Sequence, residues 1–180
     1  MISKKMRDAL NKQINAELYS AYLYWAMASY STVLGLKGAA KWFFVQGQEE
    51  MTHAARFYFY VNDVNEHAIL DAIEKPQATF KSLQQMFEAT LKHEKVVTSL
   101  INNLANLARQ EKDHATEVFL QWFITEQVEE EANASEILAK LKLAGDNVGA
   151  MFMIDAELGA RTFVMAPDLA PKLSGGGGAA

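Results

Sequence analysis

Apolar residues recur along this chain at alternating steps of three and four, the spacing that keeps one stripe of a helix away from water. The first stripe runs Leu10, Ile14, Glu17, Ala21, Tyr24, Ala28, and the second Ala39, Phe43, Gln46, Glu50, His53, Phe57, Tyr60, Val64. A third runs Leu83, Phe87, Leu91, Glu94, Val97, Ile101, Leu104, Ala108, and a fourth Leu120, Phe123, Gln127, Glu130, Ala134, Ile137, Leu141. Each predicts a helix of roughly 25 to 30 residues, about 40 Å long at ~1.5 Å per residue.

The connections between stripes predict the topology. A short break at Gly35 joins the first two helices, and Gln110 to Asp113 joins the last two, with Asp113 as an N-cap. Short links make antiparallel neighbours. The stretch from Asn65 to Lys81 contains Glu74-Lys75-Pro76 and leads into Ser82 and Gln85, spaced as a capping box. Roughly 17 extended residues reach about 55 to 60 Å, enough to run the length of the bundle and set the second and third helices parallel. The expected fold is therefore all-α, a four-helix bundle with one long crossover. Asp146 to Leu158 predicts a short C-terminal fifth helix. Residues 1–160 form the expected domain, and residues 161–180, ending Ser174-Gly-Gly-Gly-Gly-Ala-Ala, an expected flexible tail.

Composition narrows the class. Of 180 residues, 50% are hydrophobic and 22% charged, which suits a single domain with a substantial core. There is no cysteine, so disulfides, thiolate metal sites and iron–sulfur clusters are excluded. A net charge of -5 offers no general reason for a nucleic-acid partner. Lys4, Lys5 and Arg7 are not followed by an apolar run long enough for a secretion signal, and the apolar segment around Tyr19 to Tyr30 keeps polar residues within it. A cytoplasmic protein with no membrane partner is the expectation.

The chemistry lies in what interrupts the stripes. Glu17, Glu50, His53, Glu94, Gln127 and Glu130 occupy positions that should be apolar, each near the middle of its helix. Mid-helix positions meet at one level whether neighbours run parallel or antiparallel. Burying unpaired carboxylates is costly, and no Lys or Arg lies on the stripes to neutralise them. Shared protons would relieve the repulsion only at a cost in stability. Cations solve it directly, and hard oxygen donors with one imidazole suit iron or manganese. Glu50 and His53, at i and i+3, share a helical face and can hold one ion. Glu50 is the natural bridge between two.

Glu49, Glu126 and Glu129 adjoin these positions and make a second acidic layer, expected to form a third, weaker metal site or an exit path; Glu131 reads as a solvated face. Tyr22, Trp25, Trp42 and Tyr58 are left over once the stripes are filled and suit subunit contacts, while His67, His93 and His114 read as surface or loop histidines. Gly47 inside the second helix suggests close packing, since glycine there costs about 1 kcal/mol against alanine.

Three segments carry a family resemblance: Asn15-Ala-Glu-Leu-Tyr-Ser-Ala-Tyr-Leu-Tyr, Gln48-Glu-Glu-Met-Thr-His-Ala and Glu126-Gln-Val-Glu-Glu-Glu. Through them, residues from about Ser3 to Leu158 resemble the non-haem ferritins of bacteria and archaea. Ferritin-like di-iron bundles are themselves the standing example of a Glu-x-x-His pair in a bundle core. The resemblance implies a ferroxidase: a di-iron centre that oxidises Fe(II) to Fe(III) with O2 or peroxide and deposits a ferric mineral for iron storage. Its implied centre is Glu17, Glu50, His53, Glu94 and Gln127, with Glu130 beside them. A third iron site at Glu49, Glu126 and Glu129 is implied as well, with Tyr24 bonding a ligand carboxylate and Trp122 nearby. A homo-oligomeric hollow shell, usually of roughly 24 subunits, is the implied assembly, and a single bundle has no room for a mineral. Met51 resembles the haem-ligand position of bacterioferritins, but the fourth helix has Gln127-Val-Glu-Glu130 where those carry a second Glu-x-x-His, so no haem is expected. A rubrerythrin-type peroxide reductase fits poorly without cysteine, and a helical bundle built only to bind a partner would leave the buried ligands unexplained.

Overall fold

Ser3 opens the first helix by accepting the Met6 N–H on its hydroxyl at 3.0 Å, and the following residues run unbroken from Lys4 to Val33 as α1. The structure is a computed structural model and describes residues 2–167 and 169–173. Gly35, at φ 77°, turns the chain into α2 (Lys37–Asp63). Ser82 caps α3 (Leu83–Glu111) through the Gln85 N–H, and Gln85 reaches back to the Lys81 N–H at 2.6 Å, a capping box displaced by one residue. Lys112 ends α3 in the left-handed region, and Asp113 caps α4 (His114–Ala144) through the Thr116 N–H at 3.1 Å. Asn147 caps α5 (Val148–Leu158), and one further turn, α6, spans Ala170–Leu173.

Four helices of 30, 27, 29 and 31 residues thus form the bundle, with no strand among the described residues. Cross-helix contacts give the directions. Ser3 meets Glu111 while Tyr24 meets Glu94, so α1 and α3 are antiparallel. Gln46 meets Glu130 while Tyr60 meets Thr116, so α2 and α4 are antiparallel too. With α1–α2 and α3–α4 as hairpins, α2 and α3 run parallel. The crossover that permits this lies along α1. Asn11 bonds the His67 carbonyl and the Ile69 N–H, and Asn15 bonds the carbonyls of Asp71 and Ala72.

The apolar core is divided. One cluster, around Tyr24, Phe43, Phe87 and Leu141, fills the end of the bundle nearest α5. Another, around Leu10, Phe57, Ile101 and Phe123, fills the opposite end. The stripe-breaking residues lie between them in sequence on every helix, so the bundle holds a polar layer between two greasy halves.

Two glycines mark close approaches. A Cβ on Gly38 would fall 1.6 Å from the Asp155 carbonyl oxygen, so only glycine lets α5 settle on the start of α2. There the Asp155 carboxylate accepts the N–H groups of Gly38 and Ala39 at 3.1 and 2.8 Å, capping a helix whose own N-cap, Leu36, has no side chain able to do so. A Cβ on Gly47 would lie 2.5 Å from the Trp25 ring, which accounts for this glycine in the middle of α2.

Trp42 corrects one expectation. It is 5% exposed and packs on Phe43 and Phe87 inside its own bundle, so it is no candidate for a subunit contact. Tyr22, Trp25 and Tyr58 are exposed. Beyond α5, Leu169 is buried at 2% exposure and Lys172 pairs with Asp63. The glycine-rich end, residues 174–180, lies outside the described residues. No helix of the described residues is long and apolar enough to cross a membrane.

Candidate metal centre

Each bundle helix delivers buried polar groups to the layer between the two clusters. From α1 comes Glu17, 1% exposed, with one oxygen accepting the Gln13 amide at 2.8 Å. From α2 come Glu50 and His53, one turn apart, with His53 Nδ1 3.3 Å from Glu50 Oε2. Glu94 on α3 accepts the Tyr24 hydroxyl and, at 3.3 Å, the Gln127 amide. On α4 lie Gln127 and Glu130, 5% and 6% exposed.

Donor atoms of Glu17, Glu50 and His53 lie within 4.8 Å of one another, a spacing one metal ion can span. The same holds for His53, Glu126 and Glu130. His53 therefore belongs to both groups. Sequence spacing assigned Glu126 to the outer acidic layer, whereas the fold brings it, half-buried, to the His53 side of the centre. Glu94 falls in neither tight group, and its carboxylate bonds Tyr24 and Gln127. Glu129 is exposed, and Glu49 is paired with Arg161.

The electrostatics are those of carboxyls crowded out of water. Burial, then the charge of Glu50, pushes Glu17 up to about 8. Glu94 is also pushed up to about 8 by burial and then Glu50, and Glu130 to about 8 by burial and then Glu94. Glu50 is raised well above the usual range by burial and then Glu130. The Tyr24 phenol is raised as well, by burial and then Glu94. No lysine or arginine is among the fully buried described residues. Such shifts favour protonated carboxyls at neutral pH, and the oxygen and imidazole donors of the layer are of the kind iron accepts.

Several contributors went unnoticed in the sequence. Gln46 is fully buried and donates one amide to Glu50 at 3.2 Å and Glu130 at 2.8 Å, tying the α2 and α4 carboxyls together. It interrupts the second stripe one turn before Glu50, so the signal that singled out Glu50 was present there too. Gln13 lies beside its stripe and carried no such signal. His93 corrects its surface assignment. It is half-buried, bonds Ser20 at 2.8 Å, packs on Tyr19 and Tyr24, and is lowered to about 4 by burial, hence neutral. His67 and His114 are exposed as expected. Trp122 packs edge-on to the His53 ring, with centroids 5.3 Å apart.

A four-helix bundle with one crossover and a buried carboxylate–histidine layer defines a metal-handling class of helical protein. Residues 7–144 match the ferritin-like domain family. The chain is 41% identical over 163 residues to a bacterial non-heme ferritin of Staphylococcus epidermidis, covering 91% of this chain and 98% of that one. Identity to the Staphylococcus aureus counterpart is the same, over the same shares. An open-pore ferritin from the archaeon Archaeoglobus fulgidus superposes with a TM-score of 0.89 at 48% identity, covering 90% of this chain and 99% of the other. An engineered closed form of that ferritin gives 0.90 at 48%, with 91% and 100% covered. The chain belongs to the ferritin family, whose function is iron storage.

Proposed function

We propose that this chain stores iron as a homo-oligomeric shell of the non-haem ferritin type and that its buried layer is the ferroxidase centre. Four buried carboxyls from four helices, meeting one imidazole with no lysine or arginine among the fully buried described residues, carry this reading. The buried Gln46 Oε1, with no hydrogen-bond partner, supports it, because a buried oxygen without a donor suits a cation better than an apolar core.

Fe(II) is the substrate. Glu17, Glu50 and His53 hold one ion. Glu94, Gln127 and Glu130 border the second, with Glu50 between the two. Tyr24 and Gln46 orient Glu94 and the Glu50–Glu130 pair, since a donor fixed to a ligand carboxyl sets which oxygen faces the ion. Each Fe(II) gives up one electron. O2 accepts two, with two protons, to form H2O2; alternatively H2O2 accepts two, with two protons, to form water. Hard carboxylate donors favour the higher charge of Fe(III) and so help drive the oxidation. Glu49, Glu126 and Glu129 form a weaker third site through which iron passes, and Glu126, close to both His53 and Glu130, links it to the centre.

Aerobic addition of Fe(II) to the assembled protein tests the reading. The wild type should oxidise iron rapidly and keep it in a fast-sedimenting particle. Glu50→Ala and His53→Ala should each slow the initial rate by roughly tenfold or more while sedimentation of the empty shell stays unchanged. Wild-type rates in both variants would remove this layer as the ferroxidase centre.

A further inference from the structure

Arg161 lies outside the four bundle helices, yet its guanidinium ends beside the centre. The segment that carries it is fastened to α2. Asp155 caps the start of α2, and Lys41 Nζ donates to the Gly159 carbonyl at 2.9 Å. Two residues further on, the Arg161 guanidinium lies over the Trp42 ring, 4.5 Å from its centroid, and Nη2 donates to Glu49 Oε2. Both side chains of the pair are largely covered, at 20% and 24% exposure. A groove of about 410 Å³ opens alongside, lined by Trp42, Asn133, Lys140, Glu157 and Arg161 among others.

We propose that Arg161 is a resident counter-cation on Glu49 that a third metal ion must displace, so that Arg161 sets how strongly the third site is occupied. The inference rests on the reading of Glu49, Glu126 and Glu129 as that site. A guanidinium stays charged at any working pH and has no lone pair to share with a metal. Glu49 therefore meets an arriving ion with one oxygen already engaged. A divalent or trivalent ion brings more charge to the carboxylates than the guanidinium does, which favours exchange. Exchange still costs the ion pair and the stacking on Trp42, and the adjoining groove gives the released side chain room. The outcome is a third site that accepts iron only transiently. A site that fills and empties hands its ion onward, whereas an unopposed acidic cluster would retain it.

Calorimetric titration of the assembled full chain with Zn(II), which binds similar donors without redox chemistry, tests this. Arg161→Gln should tighten the weakest Zn(II) site by roughly two- to fivefold, the range expected for losing a competing, partly exposed ion pair. Arg161→Met, which keeps the length of the side chain over Trp42 without its charge, should do the same. Arg161→Lys, which keeps a cation, should shift it far less. In a Glu49→Gln background the Arg161→Gln effect should vanish. If Glu49→Gln removes the weakest site but neither uncharged Arg161 variant tightens it, the guarding role is wrong and the third site stands. If Glu49→Gln leaves every Zn(II) site intact, the third-site reading fails and takes the guard with it. A weaker site in both uncharged variants would overturn the proposal in favour of Arg161 holding Glu49 in position.

Discussion

Loading metal into the centre near neutral pH should expel protons, and the structure sets how many. Glu17, Glu94 and Glu130 are pushed up to about 8 from the ordinary 4.5, and Glu50 is raised well above that ordinary value too. At pH 7 a carboxyl titrating near 8 is ~90% protonated, so Glu17, Glu94 and Glu130 together carry roughly three protons in the metal-free protein, with Glu50 shifted in the same direction. A metal ion takes the ionised form. Saturating the centre with Zn(II) should release about three protons per subunit from those three carboxyls at pH 7 and several-fold fewer at pH 9. A pH-stat titration in unbuffered salt counts them directly. Release of less than about one proton at pH 7 would mean that the carboxyls are already ionised in the empty protein, and the argument from burial would collapse.

The same shifts give the metal-free protein an unusual dependence of stability on pH. In the unfolded chain these carboxyls titrate near 4.5, and in the fold near 8. Between those values the folded chain binds more protons than the unfolded one, so stability falls as pH rises. Their contribution is complete below about 4.5 and is lost as pH climbs through about 8. Thermal melting of demetallated protein should thus shift downward between pH 5 and pH 8, and bound metal should erase the trend. A flat or rising Tm across that interval in demetallated protein would contradict the protonated layer.

Two further outcomes follow from particular contacts. Gly38→Ala would force α5 off the start of α2 and remove the Asp155 cap, costing roughly 2 to 4 kcal/mol from overpacking and lost capping together; thermal or denaturant unfolding measures it, and an unchanged midpoint would show that α5 contributes little to the bundle. Tyr24→Phe removes the hydroxyl donor to Glu94 and should slow iron oxidation by roughly tenfold with the assembly intact, which stopped-flow absorbance would register; an unaltered rate would make Tyr24 a packing residue only.

The helix faces were legible because periodicity reports burial on each helix separately. All the charged interruptions of the stripes proved buried, and only marginal members such as Tyr60, Val64, Leu91 and Ile137 turned out half-covered. At Tyr60 and Ile137 the next residue, Val61 or Leu138, is the buried one, a slip expected because a helix of about 3.6 residues per turn drifts from strict three-and-four spacing. What stayed illegible depends on the neighbouring element. His93 is one residue from Glu94 and off its stripe, so nothing along α3 distinguishes it from a solvated histidine; Ser20, Tyr19 and Tyr24 of α1 cover it. Glu126 looked like part of an outer layer because it adjoins Gln127, and only the packing of α4 on α2 brings it to His53. Arg161 is the extreme case. It follows the last predicted helix, and its place rests on a glycine contact, a helix cap and a carbonyl bond, none of which has a period. A residue of that kind can oppose the charge of a metal site while leaving no trace in the pattern that reveals the site, because the carboxylates disclose themselves by being buried and Arg161 does so only by what it touches.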